Sequence, residues 1–177
     1  MGRMMKYLWT GIIGLSVILM TGCSGVPSGV TVVDGFELER YLGTWYEIAR
    51  LDHSFQRGLS QVTAQYSLRD DGTIDVLNRG YHDAKETWKS ARAVARPAGD
   101  PTVGSLRVSF FWPFWADYHI IALDKEDYQY AMVTSSTRNY LWILSRTPEL
   151  DEQILSDLLA KAKAWDYPID ELIYPDH

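Results

Sequence analysis

From Gly43 to Arg146 apolar and polar residues alternate in short runs, and beyond Arg146 the apolar spacing changes to three and four. A period of two predicts strands, because successive side chains on a strand point to opposite faces; a period near 3.6 predicts a helix. The clearest alternation sets Val62, Ala64, Tyr66 and Leu68 against Gln61, Thr63, Gln65 and Ser67, giving one apolar and one wet face. Eight stretches rich in β-branched and aromatic residues fall at about 43 to 51, 60 to 69, 73 to 81, 87 to 96, 103 to 111, 116 to 123, 128 to 135 and 139 to 146. That regular spacing is the one expected of an all-β sandwich or barrel. Asp70-Asp71-Gly72, the Pro97 to Pro101 break and the acidic run from Asp124 to Asp127 supply turns between the stretches.

Flanking segments complete the outline. Phe36, Leu38, Tyr41 and Leu42 have the spacing of a short helical turn before the first strand. Thr147-Pro148-Glu149 reads as an N-cap, a proline at the first helical position and an acid in the first turn, so a helix is expected over about 148 to 165. Its stripe of Leu150, Ile154, Leu155, Leu158, Leu159, Ala162 and Trp165 must bury against a sheet exterior, and Tyr167-Pro168 should end it. A short last strand is expected at about 171 to 174.

The first residues belong to a different process. Arg3 and Lys6 precede an apolar run from Leu8 to Met20, then Thr21-Gly22-Cys23. This order reads as a secretory signal over 1 to 22, too short for a membrane-spanning helix. It resembles the lipobox of bacterial lipoproteins, which implies cleavage before Cys23 and acylation of that cysteine. Two acyl chains would hold the protein firmly to a bilayer, at about 0.8 kcal/mol per buried methylene. Small residues, Gly and Pro over 23 to 34 read as a flexible tether. Processing leaves 155 of 177 residues and takes the formal net charge from −6 to −8, since Arg3 and Lys6 are the only charges removed. That size fits one domain. The acidic balance excludes a sequence-independent grip on nucleic acid. With Cys23 the only cysteine, no intrachain disulfide forms, and packing alone must hold the fold.

If the strands run up and down and close into a barrel, loops alternate between two ends. Gly43-x-Trp45-Tyr46 opens the first strand, the loop from the sixth strand to the seventh lies at the same end, and so does Arg146, where the eighth strand stops. Arg146 should therefore arrive beside Trp45, stack on the indole and bond nearby carbonyls. Gly43-x-Trp45-Tyr46, Asp127-Tyr128-x-Tyr130-Ala131 and Arg146 together resemble the three motifs of the lipocalin family. The run Leu42 to Asp52, Leu106-Arg107-Val108, Tyr140 to Pro148 and the lipobox cysteine are most similar to the bacterial outer-membrane lipocalins of the Blc type. The resemblance covers nearly the whole mature chain. It implies a lipocalin domain over 35 to 177: an eight-stranded antiparallel up-and-down β-barrel with a C-terminal α-helix packed outside. It also implies non-covalent binding and transport or storage of a fatty acid or lysophospholipid, at the outer membrane and facing the periplasm.

Which residues line the barrel follows from alternation. Counting back from Arg146 gives Leu144, Trp142 and Tyr140. Elsewhere the inward set includes Tyr66, Val76, Asn78, Ala93, Val108, Phe110, Tyr118, Tyr130 and Met132. Small Ala91, Ala93 and Ala95 leave space on one wall. Such a cup suits an acyl chain with its polar head near the rim; the residues alone favour a filled core built from the same side chains, and it is the family resemblance that implies the open cup. At the opposite end from Trp45, Phe110-Phe111-Trp112-Pro113-Phe114-Trp115 puts five aromatics in six positions, and a loop cannot bury them all. This lip, with Trp115 placed at the pocket border, should touch a bilayer or mate two copies into a homodimer. The alternative from another class is a structural or assembly lipoprotein with a filled barrel whose lip recognises a protein. No cofactor, metal site or catalytic group is expected: His53, His82, His119 and His177 lack partners at metal spacing, and no nucleophile elbow occurs.

Overall fold

The computed structural model describes residues 25–177. The expected signal over 1 to 22 and the lipidation site Cys23 lie outside the described residues.

Eight strands form a closed barrel in which each pairs with its sequence neighbours: β1 Gly43–Arg50, β2 Leu59–Leu68, β3 Ile74–His82, β4 Thr87–Pro97, β5 Ser105–Phe111, β6 Phe114–Leu123, β7 Tyr130–Thr134 and β8 Leu141–Ser145. Each strand end lies within two residues of the expected stretch. β8 closes on β1 through Tyr46↔Ser145 and Arg50↔Trp142. A single helical turn, α1 Leu38–Tyr41, crosses one end.

Two apolar clusters share the barrel wall. The inner one joins Trp45, Tyr66, Val76, Ala93, Leu106, Val108, Ile120 and Leu144 to Phe36 and Tyr41 at the floor. The outer one seats α2, Glu152–Ala164, on Ile121, Ala122, Met132 and Ile143 through Leu158 and Ala162. The helix starts later than expected. Its cap is Asp151, whose carboxylate accepts from the amides of Gln153 and Ile154 at 2.9 and 3.1 Å. A carboxylate there satisfies orphan amides and meets the positive end of the helix dipole. Thr147, expected as the cap, instead donates its hydroxyl to the Glu149 carbonyl at 2.6 Å. At the far end Asp166 adopts a left-handed conformation (φ 61°) and the Tyr167 amide returns to the Ala162 carbonyl at 3.1 Å, which ends the helix. The expected last strand is a single bridge, Ile173 to Arg50.

Where strand parity departs from simple alternation, a bulge is responsible. In β1 the register shifts between Glu47 and Ala49, so Ile48 and Ala49 both face the outer cluster and Arg50 turns inward. In β6 the shift between Ile120 and Ala122 does the same for Ile121 and Ala122. β7 corrects the expected lining: Ala131 lies opposite inward Leu144 and Met132 opposite outward Ile143. Directly opposed residues share a face. Tyr130 and Met132 therefore lie outside, under α2, and Ala131 and Val133 point in.

The segment over 25 to 34 is not a free tether where it is described. Val30 is buried in the outer cluster, the Val33 amide donates to the Ile120 carbonyl at 2.9 Å, and the Gly104 amide donates to the Val33 carbonyl at 2.9 Å. Gly104 permits this approach, since a Cβ there would stand 2.6 Å from Val33 Cγ2.

Candidate functional site

The barrel's two ends are built differently. At the floor, Trp45 is fully buried and donates its indole N–H to the Tyr41 carbonyl at 2.8 Å. Arg146 caps it, with the guanidinium carbon 3.9 Å from the ring centre. Its nitrogens donate to the carbonyls of Thr44 (3.0 Å), Arg40 (2.7 Å) and Tyr128 (3.2 Å). Gly43 is required here: its φ is +95°, and a Cβ would sit 3.3 Å from Arg146 Nη1. Tyr128, also at positive φ, donates no ring to the outside; it lies buried, its hydroxyl accepts from the Glu37 amide at 3.0 Å, and Arg40 covers its ring at 4.3 Å. The loop before it is organised by Asp124, which accepts from the amides of Glu126 and Gln129 at 3.2 Å each. Asp127, expected to share the motif's structural role, is exposed in that loop and offers its carbonyl to Gln129 Nε2 at 2.8 Å. Tyr46 faces outward against the ring of His177.

Just above the plug three phenols meet. Tyr118 Oη lies 2.7 Å from Tyr41 Oη and 2.9 Å from Tyr66 Oη. Burial pushes all three hydroxyls above the ordinary tyrosine range, Tyr66 to about 12. They are neutral donors and acceptors at physiological pH. Above them burial along the wall of β4 falls off toward the mouth. Along its inward face Ala95 and Ala93 are buried, whereas Ala91, paired with half-buried Asn78, is exposed.

The side of the mouth near β1 and β8 carries a polar network. Arg50 Nη1 donates to Glu47 Oε1 at 2.6 Å, and both residues are almost wholly buried. Gln56, folded in from the β1–β2 loop, donates to Glu47 Oε2 at 2.6 Å and accepts from Trp142 Nε1 at 3.0 Å. Its carbonyl accepts from Arg50 Nη2 at 3.0 Å, and its side-chain oxygen lies 2.6 Å from His53 Nε2. Tyr140 stacks on Trp142 with ring centres 5.9 Å apart. Two buried donors or acceptors here, Arg50 Nε and His53 Nδ1, have no protein partner. Burial raises the Glu47 carboxyl above its ordinary value against the pull of Arg50, and burial lowers the His53 imidazole.

Of the residues expected to line the interior, Tyr66, Val76, Ala93, Val108, Tyr118 and Trp142 belong to the inner cluster, and Asn78 pairs beside inward Ala64. Phe110 is half-exposed at the mouth and Tyr140 borders it. Trp115 does not line the cup. Ala116 pairs with inward Val108, which turns Trp115 to the outer wall, where the Arg96 guanidinium lies 4.4 Å from its ring. Tyr130 is outside, as described. Sequence reasoning did not single out Glu47, Arg50, His53 and Gln56 as a group. A signal existed in the close spacing of Glu47, Arg50, His53 and Gln56 along a single stretch. Among the described residues no group of three His, Cys, Asp or Glu side chains is placed to hold a metal ion.

Comparison with known proteins agrees with this architecture. A family profile described as "Lipocalin-like domain" matches residues 36–177. The chain is 49% identical over 161 residues to outer membrane lipoprotein Blc of Citrobacter freundii, covering 90% of each. It is 49% identical over 160 residues to outer membrane lipoprotein Blc of Vibrio cholerae, covering 90% of this chain and 94% of the relative. Among solved structures it is similar to the cockroach allergen Per a 4, with a TM-score of 0.68 at 19% identity, covering 86% of this chain and 95% of that one.

Proposed function

This chain belongs to the lipocalin family, and on that premise we propose that it is a lipid-anchored lipocalin of an outer membrane that binds a fatty acid or lysophospholipid without covalent chemistry and carries or stores it for membrane maintenance. The observation that carries the reading is the inward face of β4, where buried Ala95 and Ala93 give way to exposed Ala91. An apolar wall that opens to solvent above a sealed floor is a cup, and its small side chains leave width for a hydrocarbon tail. Neutral phenols lie at its base, and the network of Glu47, Arg50, His53 and Gln56 lies near its rim, where a polar head would rest. The relatives named outer membrane lipoprotein, together with Cys23 after its apolar leader, support attachment to the periplasmic face of that membrane.

Two experiments test this. Labelled palmitate should enter the protein and be lost in Cys23→Ala, with the variant moving to the soluble periplasmic fraction; unchanged membrane attachment of the unlabelled variant contradicts the anchor. Tryptophan emission should saturate on titration with oleate or an oleoyl lysophospholipid, since Trp142 borders the cup. A folded protein that responds to neither contradicts the ligand.

A further inference from the structure

The strands turn few charges toward the barrel interior, and one of these has no counter-ion. Register fixes which. β3 and β4 pair without a shift from Ile74↔Ala95 to His82↔Thr87. Ala95 and Ala93 belong to the inner cluster, so Ala91, Lys89 and Thr87 follow on the same face, because side chains alternate along a strand. Lys89 is exposed on the mouth side, four residues from Ala93, about 13 Å at the rise of a strand. β5 pairs with β4 only over Val94 to Pro97, so Lys89 stands on the part of the β3–β4 hairpin that rises past the end of β5.

The other inward charges of the strands are neutralised. Glu47 lies opposite inward Leu144 and Arg50 opposite inward Trp142, and the two pair with each other at 2.6 Å. Asp75, Arg79, Arg92, Arg96, Arg107 and Asp117 all fall on outward faces by the registers of β2 to β6. Among the described residues Lys89 enters no ion pair. The acids nearest to it in sequence, Asp83 and Glu86, belong to the turn beyond the strands, and Asp83 accepts from Ser60 Oγ at 2.6 Å. Its cross-strand neighbour is Gly80, which has no side chain to compete for the ammonium; a Cβ there would stand 3.2 Å from side-chain atoms of Leu59 and Val62. Thr87, Ala91, Asn78 and His82, which surround it on this face, include no acid.

An exposed cation on the inner face of a cup, above buried alanines and away from any carboxylate, suits an anionic group on a molecule whose apolar part lies below it. The wall of β1 and β8 suits an anion less, because Arg50 is already paired and Glu47 repels a second negative charge.

We propose that Lys89 is the counter-ion of the ligand's head: it holds the carboxylate of a fatty acid or the phosphate of a lysophospholipid at the rim, and it selects such anions over neutral lipids with the same tail. This rests on the lipid-binding reading above. A lysine ammonium is a point charge on a flexible stem, so it serves either anion and selects for charge rather than for shape.

The test titrates the delipidated full chain by tryptophan emission with oleate, oleoyl lysophosphatidylglycerol and uncharged monooleoylglycerol, at a pH where oleate is ionised and at low and high salt. In Lys89→Gln the ratio of oleate to monooleoylglycerol affinity should fall about fivefold at low salt, and the difference from the parent should shrink at high salt. Lys89→Glu should lower the ratio further, and Lys89→Arg should keep it. Arg92→Gln removes the same charge from the outward face three residues away and should leave the ratio at the parent's value. A ratio that neither Lys89→Gln nor Lys89→Glu changes overturns the proposal. So does a ratio that Arg92→Gln lowers equally, which would report only the field of the whole protein, and so does an equal loss of all three ligands. A parent that binds none of the three also overturns it, and identifies the lipid-binding reading as the part that failed.

Discussion

The floor and the mouth of this barrel use the same kinds of residue to opposite ends. At the floor an arginine, Arg146, spends its donors on three backbone carbonyls and its face on Trp45, so closure depends on groups that cannot move far. Near the mouth an arginine, Arg50, is paired with a carboxylate, keeps one buried nitrogen without a protein partner, and is held in part by Gln56 from a loop. Below lies a satisfied aromatic plug; above lie a buried ion pair and an amide brought in by a loop. The difference is that the floor is fixed by backbone acceptors, whereas the mouth is held by side-chain partners, one of them from a loop.

The largest effect should come from breaking the plug. Trp45→Ala removes a fully buried indole and should destabilise the fold by about 3–5 kcal/mol, read by denaturant unfolding. Arg146→Lys keeps the charge but not the planar fork that reaches three carbonyls. It should cost about 2 kcal/mol, and if it is neutral in thermal unfolding the floor is not held as described. At the other end the signature is the reverse. Ala91→Trp fills an exposed inward position, so it should weaken oleate binding by about tenfold, near 1.4 kcal/mol, while leaving stability almost unchanged. If it lowers stability by about 1–3 kcal/mol instead, that height is packed core rather than cup.

The smallest expected effect concerns pH. Burial depresses the His53 imidazole in the folded chain, so the unfolded chain binds its proton more readily. Its contribution to stability is complete above the ordinary value of 6.5 and is lost as pH falls through the lower folded value. Glu47 has the opposite sign: its raised carboxyl favours the fold below the ordinary value of 4.5, and that contribution is lost as pH rises through the folded value. His53→Gln should therefore flatten the fall in stability on acidification from neutral pH, by about 1 kcal/mol or less, in urea titrations taken at several pH values.

Much of this molecule is legible in its sequence. The alternation that sets Val62, Ala64 and Tyr66 against Gln61, Thr63 and Gln65 locates a strand because each face has a different solvent, and topology alone brings Arg146 to Trp45. What alternation does not carry is a bulge. The shift after Glu47 reverses Arg50 without any change in side-chain pattern, since Ile48 and Ala49 are both compatible with an outer apolar seat. Tyr130 is misplaced for a related reason: both of its faces are apolar, one under α2 and one in the barrel, so hydrophobicity cannot choose between them. Trp115 faces outward although aromatic because Arg96 is there to cover it. The cap at Thr147 and the tether before Asp34 are local readings that a distant partner overrides, namely a better-placed Asp151 for the first and the Gly104–Val33 contact for the second.

The central claim is that the cup above Tyr41, Tyr66 and Tyr118 is open and holds lipid. The most direct test is native mass spectrometry of the protein purified from cells in a non-lipid detergent, with organic extraction of whatever accompanies it. The account predicts a bound species of acyl-chain mass at one copy per cup, displaced by oleate or an oleoyl lysophospholipid and diminished in Ala91→Trp. A protein that is folded, carries no lipid and takes up neither ligand would contradict it, and would leave a filled barrel that acts through its surface.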